Sequence, residues 1–287
     1  MVAWPTRKKK NYVGRFHAAQ ILEFGCLESA SFTLFSFGKT NPYGCSDHYC
    51  EKKVKMTNQI TTVVVFHTDS ALDRFWAFKQ VPLAPFHLRD VDGLTFVKSM
   101  GSGGGKGFDF TPSFGTYAWL LVWETHQHAE RFFSTHNYFL RYKRKCKSIQ
   151  TFVLKNVISH GKWSGLDPFQ KGAELDEFSK VVVLTRARIK WSRLWQFWSK
   201  VGRTANELYK FPELEFAIGI GELPFIQQAT ISIWKNYAAM KHYAYTDETH
   251  RNVIQLTKKH QWYSEELFAR FILVSENVYT RDKLSVS

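Results

Sequence analysis

Hydrophobic positions between residues 56 and 280 follow the same order of strand-like and helix-like periods twice. Each copy opens on a β-rich run, continues through a helical segment, two strands and a second helix, and closes on a strand, which predicts the order β-α-β-β-α-β in each half. The matching segments, first copy before second, are ITTVVVF and SKVVVLTRARI, LDRFWAFKQV and WSRLWQFWSKV, GLTFVKSMG and ELEFAIGIG, TYAWLLVW and ATISIW, THQHAERFFSTHNYFLRYKRK and NYAAMKHYAYTDETHRNVIQLTKK, and QTFVLKNV and RFILVSENV.

This order is the ferredoxin-like arrangement, in which two helices cover one face of a four-stranded antiparallel sheet. Two such units can bury their uncovered faces against each other within one chain. The sequence therefore predicts an α+β fold of tandem ferredoxin-like repeats that forms an intramolecular α+β barrel. Such a barrel leaves room for a flat apolar ligand between sheet and helices, and we expect one half to keep that pocket.

The periodicity also sets the expected domain boundaries. Residues 1–55 show neither period, so we expect a poorly ordered N-terminal extension; the alternative is that Met56 is the true start. The other expected segments are a first half at 56–160, a linker at 161–178, a second half at 179–280 and a tail at 281–287.

The amino-acid composition limits the cellular location and the binding partners that we expect for this protein. Of the 287 residues, 44% are hydrophobic, yet no apolar run approaches the ~18 residues of a membrane-spanning helix. No signal peptide follows the basic first residues, so we expect a cytoplasmic protein that can contact the inner membrane peripherally. The net charge of +14 favours weak attraction to an anionic membrane surface. The basic runs are short, which disfavours specific nucleic-acid binding.

Familiar catalytic motifs are missing from the sequence. The stretch GSGGGKGF, residues 101–108, fits neither the Walker nor the Rossmann pattern, which leaves a flexible hairpin loop or a backbone that approaches a ligand closely. The sequence contains no recognisable catalytic-triad motif and no recognisable zinc-binding motif. The Glu265–Glu266 pair lies in WYSEELFARF, expected to be helical, and we interpret it as salt-bridging. The four cysteines, expected to be reduced thiols, are Cys26, Cys45, Cys50 and Cys146.

Histidine is the remaining residue type that binds cofactors. A neutral imidazole on a helix that faces a pocket can ligate haem iron. Sequence physics alone does not single out one of the histidines on the last helix of each half, which are His126, His128, His136, His242, His250 and His260.

Several segments resemble the spheroidene monooxygenase family, and together they span about Val63 to Leu273. The most specific of them is the glycine-rich strand IGIGE followed by Q-x-T-x-S-I-W. The others are GLTFVKSMGSGGGKGF, YAWLLVW, GKWSGLDPF, TRARI, ETHRNVI and WYSEELFARF.

The resemblance implies a haem (iron) cofactor in the second half and oxygen insertion near the end of an acyclic or related carotenoid, giving a hydroxy or keto product. It also implies a ferredoxin-type electron donor. A non-catalytic haem or hydrophobic-ligand carrier and another haem reaction, such as peroxide chemistry, remain alternatives on the same barrel.

The resemblance also implies site residues. The histidine of the family's C-terminal motif corresponds to His250, which is the expected iron ligand, with His242 as the alternative. Here Glu248-Thr249 replaces the Gly-Pro expected before that histidine. Because guanidinium pairs well with carboxylate, the expected partners of the haem propionates are Arg186, Arg188 and Arg270.

Overall fold

The computed structural model describes residues 56–104, 109–201, 209–246, 255–257 and 259–281. These residues form a mixed α+β fold in which eight antiparallel strands close into a barrel, in the order β1-β3-β2-β6-β7-β5-β8-β4. The strands are β1 (Ile60–His67), β2 (Leu94–Gly104), β3 (Asp109–Trp123), β4 (Ser148–Gly161), β5 (Val181–Ile189), β6 (Leu214–Leu223), β7 (Gln227–Trp234) and β8 (Tyr263–Thr280).

Five α-helices of the described residues connect the strands. One 3-10 turn, Trp191–Arg193, leads into the fourth of them. None of these helices is long and apolar enough to cross a membrane. The helices are α1 (Ala71–Leu88), α2 (His126–Thr135), α3 (Asn137–Lys145), α4 (Leu194–Val201) and α5 (Tyr237–Thr246).

Two seams of different length join the first four strands to the last four. Strands β4 and β8 pair from Ser148 opposite Thr280 to Gly161 opposite Leu267. Among the described residues, strands β2 and β6 pair only at Gly101 opposite Gly221 and Ser102 opposite Ile220. The barrel is therefore closed by one long seam and one short seam.

The interior of the barrel is packed with side chains from all eight strands. Trp163, from the segment after β4, is fully buried in this core beside Phe96. Strand β1 is buried along nearly its whole length, because its inner face contacts this core and its outer face contacts the helices. A ligand would therefore bind outside the barrel wall.

The layer between wall and helices differs between the two halves. In the first half it is filled by a cluster that includes Trp119, Trp123 and Tyr142, and the Trp119 and Tyr142 ring centroids lie 4.4 Å apart. In the second half the corresponding described clusters are much smaller, and one of them is built around Trp234 and Met240. Among the described residues, the layer outside the barrel wall is therefore more extensively packed in the first half.

The structure differs from the sequence-based prediction in three details. The segment WYSEELFARF, expected to be helical, lies mostly in β8, where Leu267, Ala269 and Phe271 point into the core. The second helix of the first half is two helices, because His136 adopts an extended backbone and caps the second of them. The glycines from Gly101 to Gly104 belong to β2 rather than to a loop.

Candidate functional site

A charged cluster lies at one end of the barrel, formed by Lys98, Arg186, Glu222 and Glu265. Arg186 is almost fully buried, forms an ion pair with Glu265 and approaches Glu222 at 3.8 Å. Its guanidinium also lies over the Trp163 ring, 5.6 Å from the centroid. The carboxylates that Arg186 contacts thus come from the protein itself.

The two glutamates of the charged cluster are held by several donors. The Lys98 amine lies 2.8 Å from the Glu222 carboxylate, and the Trp163 indole N–H donates to the same group at 2.7 Å. Burial alone would raise the pKa of Glu265, but hydrogen bonds from the backbone N–H groups of Gly165 and Ser164, together with Arg186, lower it below its usual value. The cluster is therefore a set of two carboxylates and two cations that neutralise each other.

Arg270, predicted to bind a propionate, lies on the outer face of β8 beneath α5. Its guanidinium carbon is 4.8 Å from the centroid of the Tyr237 ring, and the residue is 5% exposed. The Arg270 Nε is buried and has no hydrogen-bond partner among the described residues. A buried cation that is not fully hydrogen-bonded suits an anionic group of a ligand.

The carboxyl group of Glu266 lies on the same outer face of β8. Glu266 lies opposite Ala187 of β5. It precedes Arg270 by four residues on β8, so the two side chains lie on the same face of the strand. Burial raises the pKa of Glu266 to about 7. This face therefore carries a cation and a carboxyl group that holds a proton near neutral pH.

The other predicted site residues lie in different environments. Arg188 is exposed at the end of β5, and His242 is exposed on α5 with its ring 6.0 Å from that of Phe211. His250, the expected iron ligand, lies outside the described residues. The structure thus places Arg270 on the outer wall, Arg186 inside the barrel, and Arg188 and His242 at the surface.

A cavity of about 650 Å³ lies on the outside of the barrel over the short seam between β2 and β6. We call it the seam cavity. Its floor is the backbone of Gly101, Gly103 and Gly221, and its walls come from α1, β3, α4 and the β6–β7 turn. The wall side chains are largely apolar and include Phe78, Leu83, Phe114, Tyr117, Trp198 and Phe225.

Two polar groups of the seam cavity hydrogen-bond to backbone carbonyls, and Lys79, Ser113 and Gln228 also line the cavity. The Tyr117 hydroxyl donates to the Phe114 carbonyl at 3.0 Å, and the Trp198 indole N–H donates to the Phe225 carbonyl at 3.0 Å. Glu222, which also lines the cavity, belongs to the charged cluster. A ligand here would be recognised mainly through apolar contact.

Sequence reasoning did not find the seam cavity as a site. Its lining comes from five separate segments, and no one of them carries a periodic or spaced signal. The glycines of residues 101–104 were the one sequence feature that pointed to this cavity. One of their two interpretations was a backbone that a ligand can approach closely.

Comparison with curated proteins identifies the family. The chain is 31% identical over 217 residues to spheroidene monooxygenase of Rhodobacter capsulatus, covering 75% of this chain and 90% of that protein. The chain belongs to the spheroidene monooxygenase family. The family member of Rubrivivax gelatinosus is 27% identical over 202 residues, covering 70% of this chain and 77% of that protein. As a member of the spheroidene monooxygenase family, the chain is an oxygen-using oxidoreductase.

Solved structures with the same fold have very different sequences. An aldoxime dehydratase in complex with butyraldoxime superposes with a TM-score of 0.53 at 7% identity, covering 78% of this chain and 82% of that protein. A second aldoxime dehydratase structure gives a TM-score of 0.50. At this identity the likeness shows the fold alone. No protein-family model matches the chain.

The charged cluster yields a stability prediction. Replacement of Arg186 by Met leaves Glu265 and Glu222 without their buried cation, so we expect the free energy of unfolding to fall by about 3–5 kcal/mol. Urea unfolding measures the change through the midpoint at constant slope. The control is Arg188→Met, which removes an exposed arginine two residues away and should change stability by about 0.5 kcal/mol or less. Equal losses in the two variants would show that the cluster does not stabilise the barrel.

Proposed function

We propose that this chain is a haem-dependent monooxygenase that inserts oxygen near the end of an acyclic or related carotenoid, giving a hydroxy or keto product. The observation that carries the proposal is the 31% identity to a spheroidene monooxygenase over nine-tenths of that protein's length. A large apolar cavity on the barrel wall supports a hydrocarbon substrate. We also propose a ferredoxin-type electron donor for the reaction.

The outer face of the second half has groups that fit a haem. The buried, unpaired Nε of Arg270 would bind a propionate, and this face is less filled by described side chains than that of the first half. His250 would hold the iron through its imidazole. His242 fits this role less well, because it is exposed whereas Met240 and Ala244 of the same helix are buried. Bound haem would supply oxygen activation.

The protein's own groups would orient the cofactor and control protons. Arg270 would hold a propionate by charge pairing, and the Tyr237 ring lies against its guanidinium. Glu266, with a pKa of about 7, can keep a proton on its carboxyl group beside the same face.

We also propose that the two halves are tandem ferredoxin-like repeats. Strands of the first half lie in the order β4-β1-β3-β2, and those of the second half in the order β8-β5-β7-β6, which is the same order by position. In each half a helix follows the first strand, and further helical structure lies between the third and fourth strands. This common plan supports a duplication in which only the second copy keeps cofactor-binding residues.

The second candidate function is a non-catalytic haem or hydrophobic-ligand carrier, which the apolar cavity also favours. Expression of the wild type in a host that makes acyclic carotenoids separates the two functions, and His250→Ala, expressed there and also purified with haem, tests the iron ligand. We expect loss of most of the Soret absorbance and loss of pigment oxidation, because both depend on the axial imidazole.

The matched control is His242→Ala, which should keep both the Soret band and the altered pigment. An undiminished Soret band in His250→Ala would refute the ligand assignment. Unchanged pigment in cells that contain haem-loaded wild-type protein would favour the carrier.

An exposed apolar face lies on the outside of α1. Leu72, Phe75 and Phe86 lie on one side of this helix and are 81%, 63% and 69% exposed, whereas Ala77, Ala84 and Leu88 on the other side are buried. Exposed aromatic side chains on a helix are typical of an interfacial contact with a bilayer. Because the chain carries +14 charges, we propose peripheral contact with an anionic membrane, the cytoplasmic face of the inner membrane.

Vesicle binding tests this face. Phe75→Glu removes an apolar side chain and adds a negative charge, so we expect binding to phosphatidylglycerol vesicles to weaken by roughly tenfold or more in co-sedimentation. Phe178→Glu makes the same change at a residue that is 91% exposed outside α1, and it should bind nearly as tightly as the wild type. Equal loss in both variants would leave charge alone as the cause. A dimer in solution that Phe75→Glu dissociates would make the face a subunit interface.

A further inference from the structure

We infer that the seam cavity binds the conjugated chain of the substrate, with the glycine floor as the surface against which the chain lies flat. This inference rests on the proposed function, since it names the place where the carotenoid binds. The cavity volume of about 650 Å³ falls within the range of about 300–1,000 Å³ that is usual for ligand pockets.

The floor of the seam cavity suits a flat, rigid chain. Gly101 and Gly221 face each other across the short seam, and Gly103 extends the strip along β2. Three residues without side chains expose backbone over which a planar polyene can approach closely. An extended side chain at any of them would occupy the space where the chain lies.

The walls supply contact without a requirement for polar groups in the ligand. Phe78 and Phe114 lie with their ring centroids 5.8 Å apart at one side, and Trp198 lies at the other. The hydroxyl of Ser102 donates to the Gly219 carbonyl at 2.9 Å, so it does not need a ligand acceptor. Lys79, Ser113 and Gln228 also line the cavity, but most of its wall is apolar, which favours a hydrocarbon over a sugar or a nucleotide.

Gly101 is the position at which the cavity can be filled without damage to the fold. A Cβ at Gly101 would meet no atom within 4 Å, and its backbone is not in the left-handed region. At Gly221 a Cβ would lie 2.6 Å from the Gln227 carbonyl oxygen, so a substitution there would disturb the strand. Gly101→Leu therefore tests occupancy of the cavity, and Gly101→Ala gives a smaller step.

The experiment uses the purified full chain and cis-parinaric acid, a fluorescent conjugated polyene fatty acid. We expect Gly101→Leu to raise the dissociation constant roughly tenfold or more, because the added side chain displaces about two methylene groups of the ligand, and Gly101→Ala to have a smaller effect. Trp198→Phe should reduce energy transfer from tryptophan to the bound probe. Val278→Leu, at an exposed position of β8 outside the cavity, should bind as the wild type.

A parallel assay measures pigment oxidation in a host that makes acyclic carotenoids. Unchanged probe affinity in Gly101→Leu would overturn the inference, even if the wild type oxidises the pigment and the proposed function stands. Weakened probe binding in Gly101→Leu, with no pigment oxidation by the wild type, would support the cavity and refute the proposed function. Equal weakening in Val278→Leu would also overturn the inference, since the effect would not depend on the cavity.

Discussion

Closure of the sheet is the constraint on which the rest of this structure depends. A four-stranded sheet has two edges whose backbone N–H and C=O groups need partners, and an exposed edge invites aggregation. Here both edges of each half are paired, through β4 with β8 and β2 with β6. The second of these seams is short, and it lies under a space bounded by α1 and α4. The seam cavity is therefore a consequence of how the barrel closes.

The two halves share a strand order but differ in the side chains that the structure describes outside the barrel wall. Aromatic side chains around Trp119 and Trp123 fill the space between wall and helices in the first half, which makes it a rigid support. Among the described residues the second half has smaller apolar clusters there, and Arg270 and Glu266, a cation and a carboxyl group, lie on the same face. The Nε of Arg270 has no hydrogen-bond partner in the part of the chain that the structure describes, which is the basis of the proposal that an anionic ligand group binds on this face.

The strand order was predictable because alternation and β-rich runs survive in a single sequence. The strand at WYSEELFARF was not predictable, because Leu267 and Phe271 are four residues apart, a spacing that fits a helix as well as a strand. The burial of Arg186 was also hidden, because the register of β5 decides which residues face the core, and one step of register moves a side chain to the other face. The seam cavity depends on contacts between distant segments, which no local pattern encodes.

Glu222 belongs to the charged cluster and also lines the seam cavity. The pairing of its charge therefore affects the wall of the proposed hydrocarbon site. An unpaired carboxylate in this wall would repel an apolar ligand, because its water would have to be removed on binding. Lys98, Arg186 and the Trp163 indole compensate the charge from inside the barrel, so Glu222 adds little net negative charge to the wall. The buried ions thus allow a glutamate near the end of β6 to line a pocket whose wall is otherwise largely apolar.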